Sequence, residues 1–209
     1  MRAEDPTAKS RQFWDDVAPR YDRAMRFLER HQFRGGREWV CSRARGDVLE
    51  VAVGTGLNLA LYPAEARLTG VDLSPEMLAQ ARSRSAAIGR PIELKEADVA
   101  ALPFGDDSFD TVVSTLAMCV VPDDRAGILE MRRVLRPGGR LLLLDHIGSS
   151  WWPIWAGQRL IEIYTIPHAG EHMTRRPRPI VERAGFVIEE SERLKAGTVE
   201  RIAAVKPLS

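Results

Sequence analysis

Glycines and carboxylates spaced as in a nucleoside-binding site lie in the first third of the sequence. Residues 48–56, VLEVAVGTG, form an apolar run that leads into Gly54 and Gly56. Because glycine lacks a Cβ atom, such a turn can adopt positive φ and let a ligand approach the backbone. Asp72 follows Glu50 by 22 residues, where a carboxylate can accept hydrogen bonds from both ribose hydroxyls. Together these features predict a nucleoside site.

The same turn favours a cationic ligand over a pyrophosphate. The dinucleotide fingerprint G-x-G-x-x-G/A requires a small residue where this sequence has Leu59. Glu50 adds negative charge beside the turn, which suits an ammonium or sulfonium group better than a phosphate. A nicotinamide-dependent oxidoreductase, which would share the sheet and Asp72, stays open as an alternative from another class.

Apolar runs that alternate with helical segments place these residues at strand ends. Seven strands are predicted, at 47–53, 67–72, 92–96, 111–115, 140–145, 186–190 and 199–206. Ser74 is predicted to cap a helix that begins at Pro75, and Asp123 or Asp124 a second helix that runs through Leu135 and is stopped by 137–139. This alternation is typical of an α/β protein with a Rossmann-like, doubly wound, mostly parallel seven-stranded sheet, in which ligands bind beyond the carboxyl ends of the strands.

The segments outside this alternation are predicted to cover the sheet. Upstream of residue 47 the chain has a helical apolar pattern, which Pro19 is expected to break once. The sequence predicts one domain, 1–209, divided into an N-terminal helical lid (1–46), a cofactor-binding core (47–146), an insertion between strands five and six (147–180) and C-terminal strands (181–209).

Composition predicts a globular protein without an overall basic field. Lys and Arg number 30 against 29 Asp and Glu, a net charge of +1, which argues against nucleic-acid binding through a basic surface. Cys41 and Cys119 have no metal-binding spacing, so we expect reduced thiols and no metal. The first residues lack the apolar core of a signal peptide, and no run reaches about 18 apolar residues. We therefore expect a cytoplasmic protein.

Four motifs give the chain a family resemblance. In order they are VLEVAVGTG, GVDLSPEML, EADVAALPFGDDSFDTVV and RRVLRPGGRLLLLDH. They resemble the class I S-adenosylmethionine-dependent methyltransferases, in the branch of the ubiquinone/menaquinone C-methyltransferases and their small-molecule relatives. Ala52 stands where that family usually has the first glycine of its motif, and we expect a tighter turn that still binds. The resemblance implies S-adenosyl-L-methionine as cofactor.

The resemblance also implies roles for individual residues. Glu50 and the backbone of Ala52, Val53, Gly54, Thr55 and Gly56 would surround the methionine part. Asp72 would hold the ribose, Leu73 and Met77 would lie against the adenine, and Asp98 and Val99 would bind its edge. Thr115 belongs to the floor beside the methyl group, and Tyr21 would touch the carboxylate end or the acceptor. For Met77 and Tyr21, ordinary packing stays an alternative.

Two histidines are candidates for catalysis. Methyl transfer from a sulfonium is an in-line displacement from an activated donor, so a protein can act by aligning the acceptor and excluding water. An amine, thiol or phenol acceptor would also benefit from a base. His146, at the end of the fifth strand, is the first candidate and His172 the second. Taken alone, either is more often a surface or capping residue.

The insertion carries the information about the acceptor. An aromatic and aliphatic run between Trp151 and Tyr164 could be a lid over a hydrophobic acceptor, a membrane-surface contact, or a dimer or core contact. Arg175, Arg176 and Arg178 could attract an anionic substrate or headgroup. The leading hypothesis is a methyltransferase for a hydrophobic or amphipathic small molecule. The alternatives are a phospholipid N-methyltransferase at the membrane surface and a non-catalytic cofactor binder.

Overall fold

The central sheet has seven strands. A computed structural model describes residues 5–33 and 35–208; residues 1–4, 34 and 209, which belong to the predicted lid and C-terminal segment, lie outside the described residues. The strands are β1 (Asp47–Val51), β2 (Arg67–Asp72), β3 (Glu93–Glu96), β4 (Phe109–Thr115), β5 (Leu135–His146), β6 (Val187–Leu194) and β7 (Val199–Val205). Their order across the sheet is β3-β2-β1-β4-β5-β7-β6.

The sheet is mostly parallel, as predicted. Strands β3, β2, β1, β4 and β5 pair in parallel, and β7 is antiparallel to both β5 and β6. The chain moves outward from β1 to β3 and then crosses back to β4, so the winding direction reverses between β1 and β4. Open α/β sheets bind ligands at this reversal, beyond the carboxyl ends of the strands.

All seven predicted strands are present, and their limits differ at several ends. β1 stops at Val51, two residues early, because Ala52 turns to a φ of +52°. β5 begins at Leu135, a residue that the sequence assigned to the preceding helix. Leu135 pairs with Phe109 of β4 and is completely buried. The sheet, and not the Pro-Gly-Gly sequence, therefore ends that helix.

In the described part of the chain, six α-helices surround the sheet. They are α1 (Pro6–Leu28), α2 (Gly36–Cys41), α3 (Pro75–Ala87), α4 (Asp124–Val134), α5 (Trp152–Ala169) and α6 (Arg178–Arg183), with a π-helical segment at Glu29–Phe33. Both predicted caps are confirmed: Ser74 accepts from the Met77 N–H and Asp123 from the Ala126 N–H. Within 5–33 and 35–208, no helix has both the length and the hydrophobicity that crossing a membrane requires.

The predicted break at Pro19 is wrong, because α1 continues through it. Proline removes one helical hydrogen bond, which usually ends or kinks a helix. Here contacts with α3 hold both sides of the proline: the Ala18 carbonyl accepts from Gln80 Nε2 at 2.6 Å, and Asp22 pairs with Arg84. These contacts with α3 thus offset the tendency of Pro19 to break α1.

Apolar side chains cover both faces of the sheet. In β5, Leu141 and Leu143 pack with α4, whereas Leu142 and Leu144 pack with α2. This alternation follows the period of two along a strand. The rigid sheet between these two layers holds the strand ends that form the site.

Candidate functional site

A cavity lies at the carboxyl ends of β1, β2 and β4. It contains about 630 Å³ of space, part of which is open to solvent. Three residues of α1, Ser10, Trp14 and Tyr21, close one side. Of the residues predicted to bind the cofactor, those that line the cavity are Tyr21, Ala52, Gly54, Asp72, Leu73, Met77, Asp98, Val99 and Thr115. Those that do not line it are Glu50, Val53, Thr55 and Gly56.

The glycine turn leaves room for a ligand on one side and packs tightly on the other. Gly54 has a φ of +56°, and a Cβ atom there would meet no other atom within 4 Å. Gly56 has a φ of +80°, and its Cβ would lie 2.7 Å from Leu59 Cδ1. Ala52, at +52°, also lies in the left-handed region, which costs an L-residue about 1–2 kcal/mol. This conformation explains why glycine suits position 52.

Asp72 joins the glycine turn to the start of α3. Its Oδ2 accepts from the Gly54 N–H at 2.7 Å and its Oδ1 from the Ser74 N–H at 2.9 Å. The residue is only 8% exposed. Burial raises the pKa of Asp72 to about 6, although these backbone donors oppose the rise. Each carboxylate oxygen keeps a further lone pair for a ligand hydroxyl.

Asp98 has both a local and a cavity-facing role. Its Oδ1 accepts from the Ala100 N–H at 2.8 Å, which is the turn-capping use that carboxylates commonly have. Its Oδ2 lies 3.5 Å from the Thr7 hydroxyl of α1. The residue also lines the cavity, and its contact with the base edge stays a prediction.

Glu50 belongs to a buried polar network beneath the cavity. Asn58 Nδ2 donates to Glu50 Oε1 at 2.7 Å, and the Tyr62 hydroxyl donates to Oε2 at 2.9 Å. Burial raises the pKa of Glu50 to about 7, against the lowering effect of Tyr62, Arg37 and Asn58. Both Glu50 carboxylate oxygens accept hydrogen bonds from within the protein. Glu50 does not line the cavity itself, so it can influence a ligand only through the residues that it contacts.

Arg37 supplies the positive charge of that network and was missed by the sequence analysis. Its Nη1 donates to Asn58 Oδ1 at 2.9 Å and to the Thr115 hydroxyl at 3.0 Å, and it pairs with Glu29. Asn58 Nδ2 also donates to Thr115 at 3.0 Å. Because the Thr115 oxygen accepts two hydrogen bonds, its own O–H is left to donate toward the cavity. The only signal in the sequence was an arginine inside an otherwise core-forming segment, GREWVC.

Helix α1 is fastened over the cavity by polar contacts with strand ends and with α3. Asp15 accepts from the Ser74 hydroxyl, and Asp22 accepts from the Thr55 hydroxyl at 2.6 Å. Thr55, predicted to contact the cofactor, thus contacts the lid helix. Tyr21 lies in the cavity wall, edge-on to Trp14 with 6.1 Å between ring centroids. The arrangement covers one side of the cavity with α1.

The two candidate catalytic histidines have different surroundings. His146 is buried, does not line the cavity, and its Nε2 lies 3.1 Å from Glu171 Oε1. Burial alone would lower the pKa of His146, but Cys119 and Glu171 raise it well above its ordinary value. For His172, burial and the charge of Arg175 lower the pKa. The lowered pKa favours the neutral imidazole of His172, which is the form that can accept a proton.

A second cavity adjoins the first. It lies between α1 and the end of α5, and the two cavities share Ser10, Val120 and Pro122. The remaining lining residues are mostly apolar: Pro6, Lys9, Phe13, Ile166, His168, Ala169, Gly170 and His172. This space is suited to an apolar or amphipathic molecule that reaches toward the first cavity.

Comparison with known proteins agrees with this geometry. Residues 49–143 match the model of a methyltransferase domain family. A demethylmenaquinone methyltransferase from Deinococcus radiodurans is 35% identical over 174 residues, which are 80% of this chain and 72% of that protein. A phosphatidylethanolamine N-methyltransferase from Cereibacter sphaeroides is 42% identical over 118 residues, 56% of this chain. The chain spans only 58% of the length of that second relative.

Solved structures support the fold. A SAM-dependent methyltransferase from Methanosarcina mazei superimposes with a TM-score of 0.63 at 23% identity, covering 81% of this chain and 96% of that one. At this identity the likeness shows the fold alone. The family assignment rests on the sequence relatives, and the cofactor of this family is S-adenosylmethionine. This chain belongs to the class I S-adenosylmethionine-dependent methyltransferases, in the branch of the ubiquinone and menaquinone C-methyltransferases.

Proposed function

We propose that this protein transfers the methyl group of S-adenosylmethionine to a hydrophobic or amphipathic small molecule held in the second cavity. The observation that carries the proposal is the junction of the two cavities at Ser10, Val120 and Pro122. One cavity has the polar groups that a nucleoside requires, and the other is mainly apolar. An acceptor in the second cavity would therefore face the cofactor directly.

The residues of the first cavity fit this cofactor. Asp72 has lone pairs for the ribose hydroxyls, the open side of Gly54 admits a close ligand, and the Thr115 hydroxyl can donate to a carboxylate. Leu73 and Met77 would flank the adenine. Asp98 would accept from its amino group. When bound, the cofactor supplies a methyl group already activated by the sulfonium charge.

The chain's own residues would align the acceptor and handle its proton. Helix α1 excludes water from the junction, which favours an in-line displacement between aligned groups. If the acceptor atom carries a proton, His172 can take it because its pKa is lowered. The backbone N–H of His172 donates to the Cys119 carbonyl at 2.8 Å, which holds His172 beside the second cavity. His146, paired with Glu171, is proposed to hold the loop that contains His172.

Thermal unfolding with two nucleoside ligands tests the cofactor assignment. We expect S-adenosylhomocysteine at a hundredfold its Kd to stabilise the protein by about 2.7 kcal/mol, and NAD to leave the melting curve unchanged. NAD is not expected to bind because its pyrophosphate requires a small residue at position 59, where this chain has Leu59. Stabilisation by NAD and not by S-adenosylhomocysteine would overturn the proposal in favour of an oxidoreductase.

Methyl transfer itself requires a second measurement. The protein is incubated with labelled S-adenosylmethionine and lipid-soluble extracts, and labelled products are identified. Label in an organic-soluble product supports the proposed acceptor class. Tight binding of S-adenosylhomocysteine with no label transferred to any acceptor would instead identify a non-catalytic binder.

The affinity for S-adenosylhomocysteine is expected to depend on pH through Asp72. Its pKa is raised to about 6 in the free protein, and ribose hydroxyls donate to the ionised form. Binding should therefore be constant above pH 7 and weaken by up to about tenfold per unit as the pH falls below 6. Calorimetric titration from pH 5 to 8 measures this. Asp72→Asn, which cannot ionise, should lose the acid-side dependence; a profile unchanged in that variant would contradict the assignment.

A further inference from the structure

Helix α5 buries two polar residues and exposes most of its large apolar residues. Its two buried residues are Gln158 and Glu162. The exposed large apolar residues on and beside the helix are Trp151, Trp152, Trp155, Leu160, Ile161, Ile163 and Tyr164, and the exposure reaches 75% at Trp152 and 73% at Ile163. An ordinary surface helix has the opposite distribution. We call this set of exposed residues the α5 apolar face.

Hydrogen bonds hold the helix in this orientation. Gln158 accepts from the Ser149 N–H at 2.8 Å and donates to the Ile147 carbonyl at 2.9 Å. Glu162 Oε1 accepts from the N–H and the hydroxyl of Thr174 at 2.7 and 2.8 Å. Rotating the helix to bury its apolar face would leave these buried polar groups without partners, at a high energetic cost. The exposure of the apolar face is thus built into the fold.

Lysines lie at both ends of the α5 apolar face. At its centre, Arg159 pairs with the buried Glu162 at 2.7 Å, and no exposed residue of α5 is Asp or Glu. At the C-terminal end, Lys9 Nζ donates to the Pro167 carbonyl at 2.7 Å. At the N-terminal end lies the exposed Lys195, whose neighbour Ala196 accepts from the Ser149 hydroxyl at 2.7 Å. Aromatic, aliphatic and basic side chains together are typical of a surface that binds anionic lipid.

The same charges disfavour a second copy of this chain as the occupant. Parallel pairing through α5 would place Lys9 opposite the other copy's Lys9, and antiparallel pairing would place it opposite Lys195. Both arrangements oppose like charges beside a desolvated contact, which is unfavourable. An anionic lipid surface would instead offer negatively charged partners to both lysines at once. The position of the helix adds a further reason, because Ile166 and His168 near its end line the second cavity.

We infer that the protein binds peripherally to anionic membranes, with the α5 apolar face inserted at the level of the lipid headgroups. An amphipathic molecule in that membrane could then reach the second cavity from the end of α5. Lipid binding itself does not depend on methyl transfer or on the cofactor. It can therefore be tested separately from the proposed function.

Vesicle flotation tests this inference with the full chain. Vesicles of phosphatidylcholine alone are compared with vesicles containing about one third phosphatidylglycerol. We expect flotation with the anionic vesicles, weaker flotation with the neutral ones, and a blue shift of tryptophan fluorescence on binding. Failure of the unmodified protein to float with anionic vesicles would overturn the inference.

A triple variant locates the contact. Trp152→Gln, Leu160→Gln and Ile163→Gln together should reduce binding to anionic vesicles at least tenfold, because glutamine keeps helix propensity and removes apolar insertion. The matched control is Phe27→Gln, Leu129→Gln and Val187→Gln, three exposed apolar residues elsewhere, which should bind as the unmodified protein does. Equal binding by both triple variants would refute the role of α5.

Two further measurements separate the possible failures. The stabilisation by S-adenosylhomocysteine should be the same in the α5 variant as in the unmodified protein, which shows that folding and the cofactor cavity are intact. Light scattering of the unmodified protein gives its mass in solution. A dimer that becomes a monomer in the α5 variant would overturn the lipid assignment and identify a second copy as the occupant.

Discussion

Replacing Asp72 with alanine is expected to weaken binding of S-adenosylhomocysteine by about 1.5–3 kcal/mol, or roughly 10- to 150-fold. Asp72 lines the cofactor cavity with both carboxylate oxygens oriented by backbone N–H groups. A ribose held by an ionised carboxylate makes charge-assisted hydrogen bonds, which are stronger than neutral ones. Loss of the carboxylate would also leave the Gly54 and Ser74 N–H groups without these acceptors, so the turn itself would be less well held.

Calorimetric titration at pH 7.5 measures this effect. Asp16→Ala, an exposed substitution on α1, is the matched control and should leave the affinity unchanged. Asp72→Asn keeps an acceptor oxygen for only one of the two backbone N–H groups and removes the charge. Its affinity should therefore lie between those of Asp72→Ala and the unmodified protein. Unaltered affinity in a folded Asp72→Ala protein would assign Asp72 a purely structural role.

Replacing Arg37 with methionine is expected to lower the free energy of unfolding by about 3–5 kcal/mol, the range for removing one partner of a buried ionic group. Arg37 is only 7% exposed. Without it, Glu29 loses its ion pair, and Asn58 Oδ1 loses a donor at 2.9 Å. Glu50 would also lose the positive charge that opposes the rise of its pKa.

Urea unfolding followed by circular dichroism measures the loss. The matched control is Arg178→Met, which removes an exposed i,i+4 pair with Glu182 and should cost less than about 0.5 kcal/mol. The Arg37→Met variant should also bind S-adenosylhomocysteine more weakly, because the Thr115 hydroxyl loses one of its two donors. Equal unfolding midpoints for Arg37→Met and the unmodified protein would show that the network contributes little.

The position of the first cavity was largely predictable because its signals are local. A strand, a glycine turn and an acid at the next strand end are contiguous patterns, and the sheet then brings the strand ends together. Ser74 and Asp123 were also identified as caps, since capping depends on residues within one helical turn. The cavity residue Asp72 follows from the same reasoning, whereas Leu73 and Val99 were implied by the family resemblance.

The remaining features depend on contacts between distant parts of the chain, which no local pattern encodes. The continuation of α1 through Pro19 and the early start of β5 arise from packing against α3 and β4. Arg37, Asn58 and Tyr62 meet Glu50 only after folding. The inward direction of Gln158 and Glu162 was equally absent from the composition of the insertion.

The order of residue types along the chain thus specified the sheet, the strand ends that line the first cavity and the position of Asp72 there, because each of these follows from short-range periodicity and turn chemistry. Folding decided the protonation and accessibility of the side chains. Burial and neighbouring charge separate His146 from His172 and enclose Glu50 beneath the cavity. The outward apolar face of α5 was decided in the same way, because only long-range hydrogen bonds determine which side of that helix meets the core.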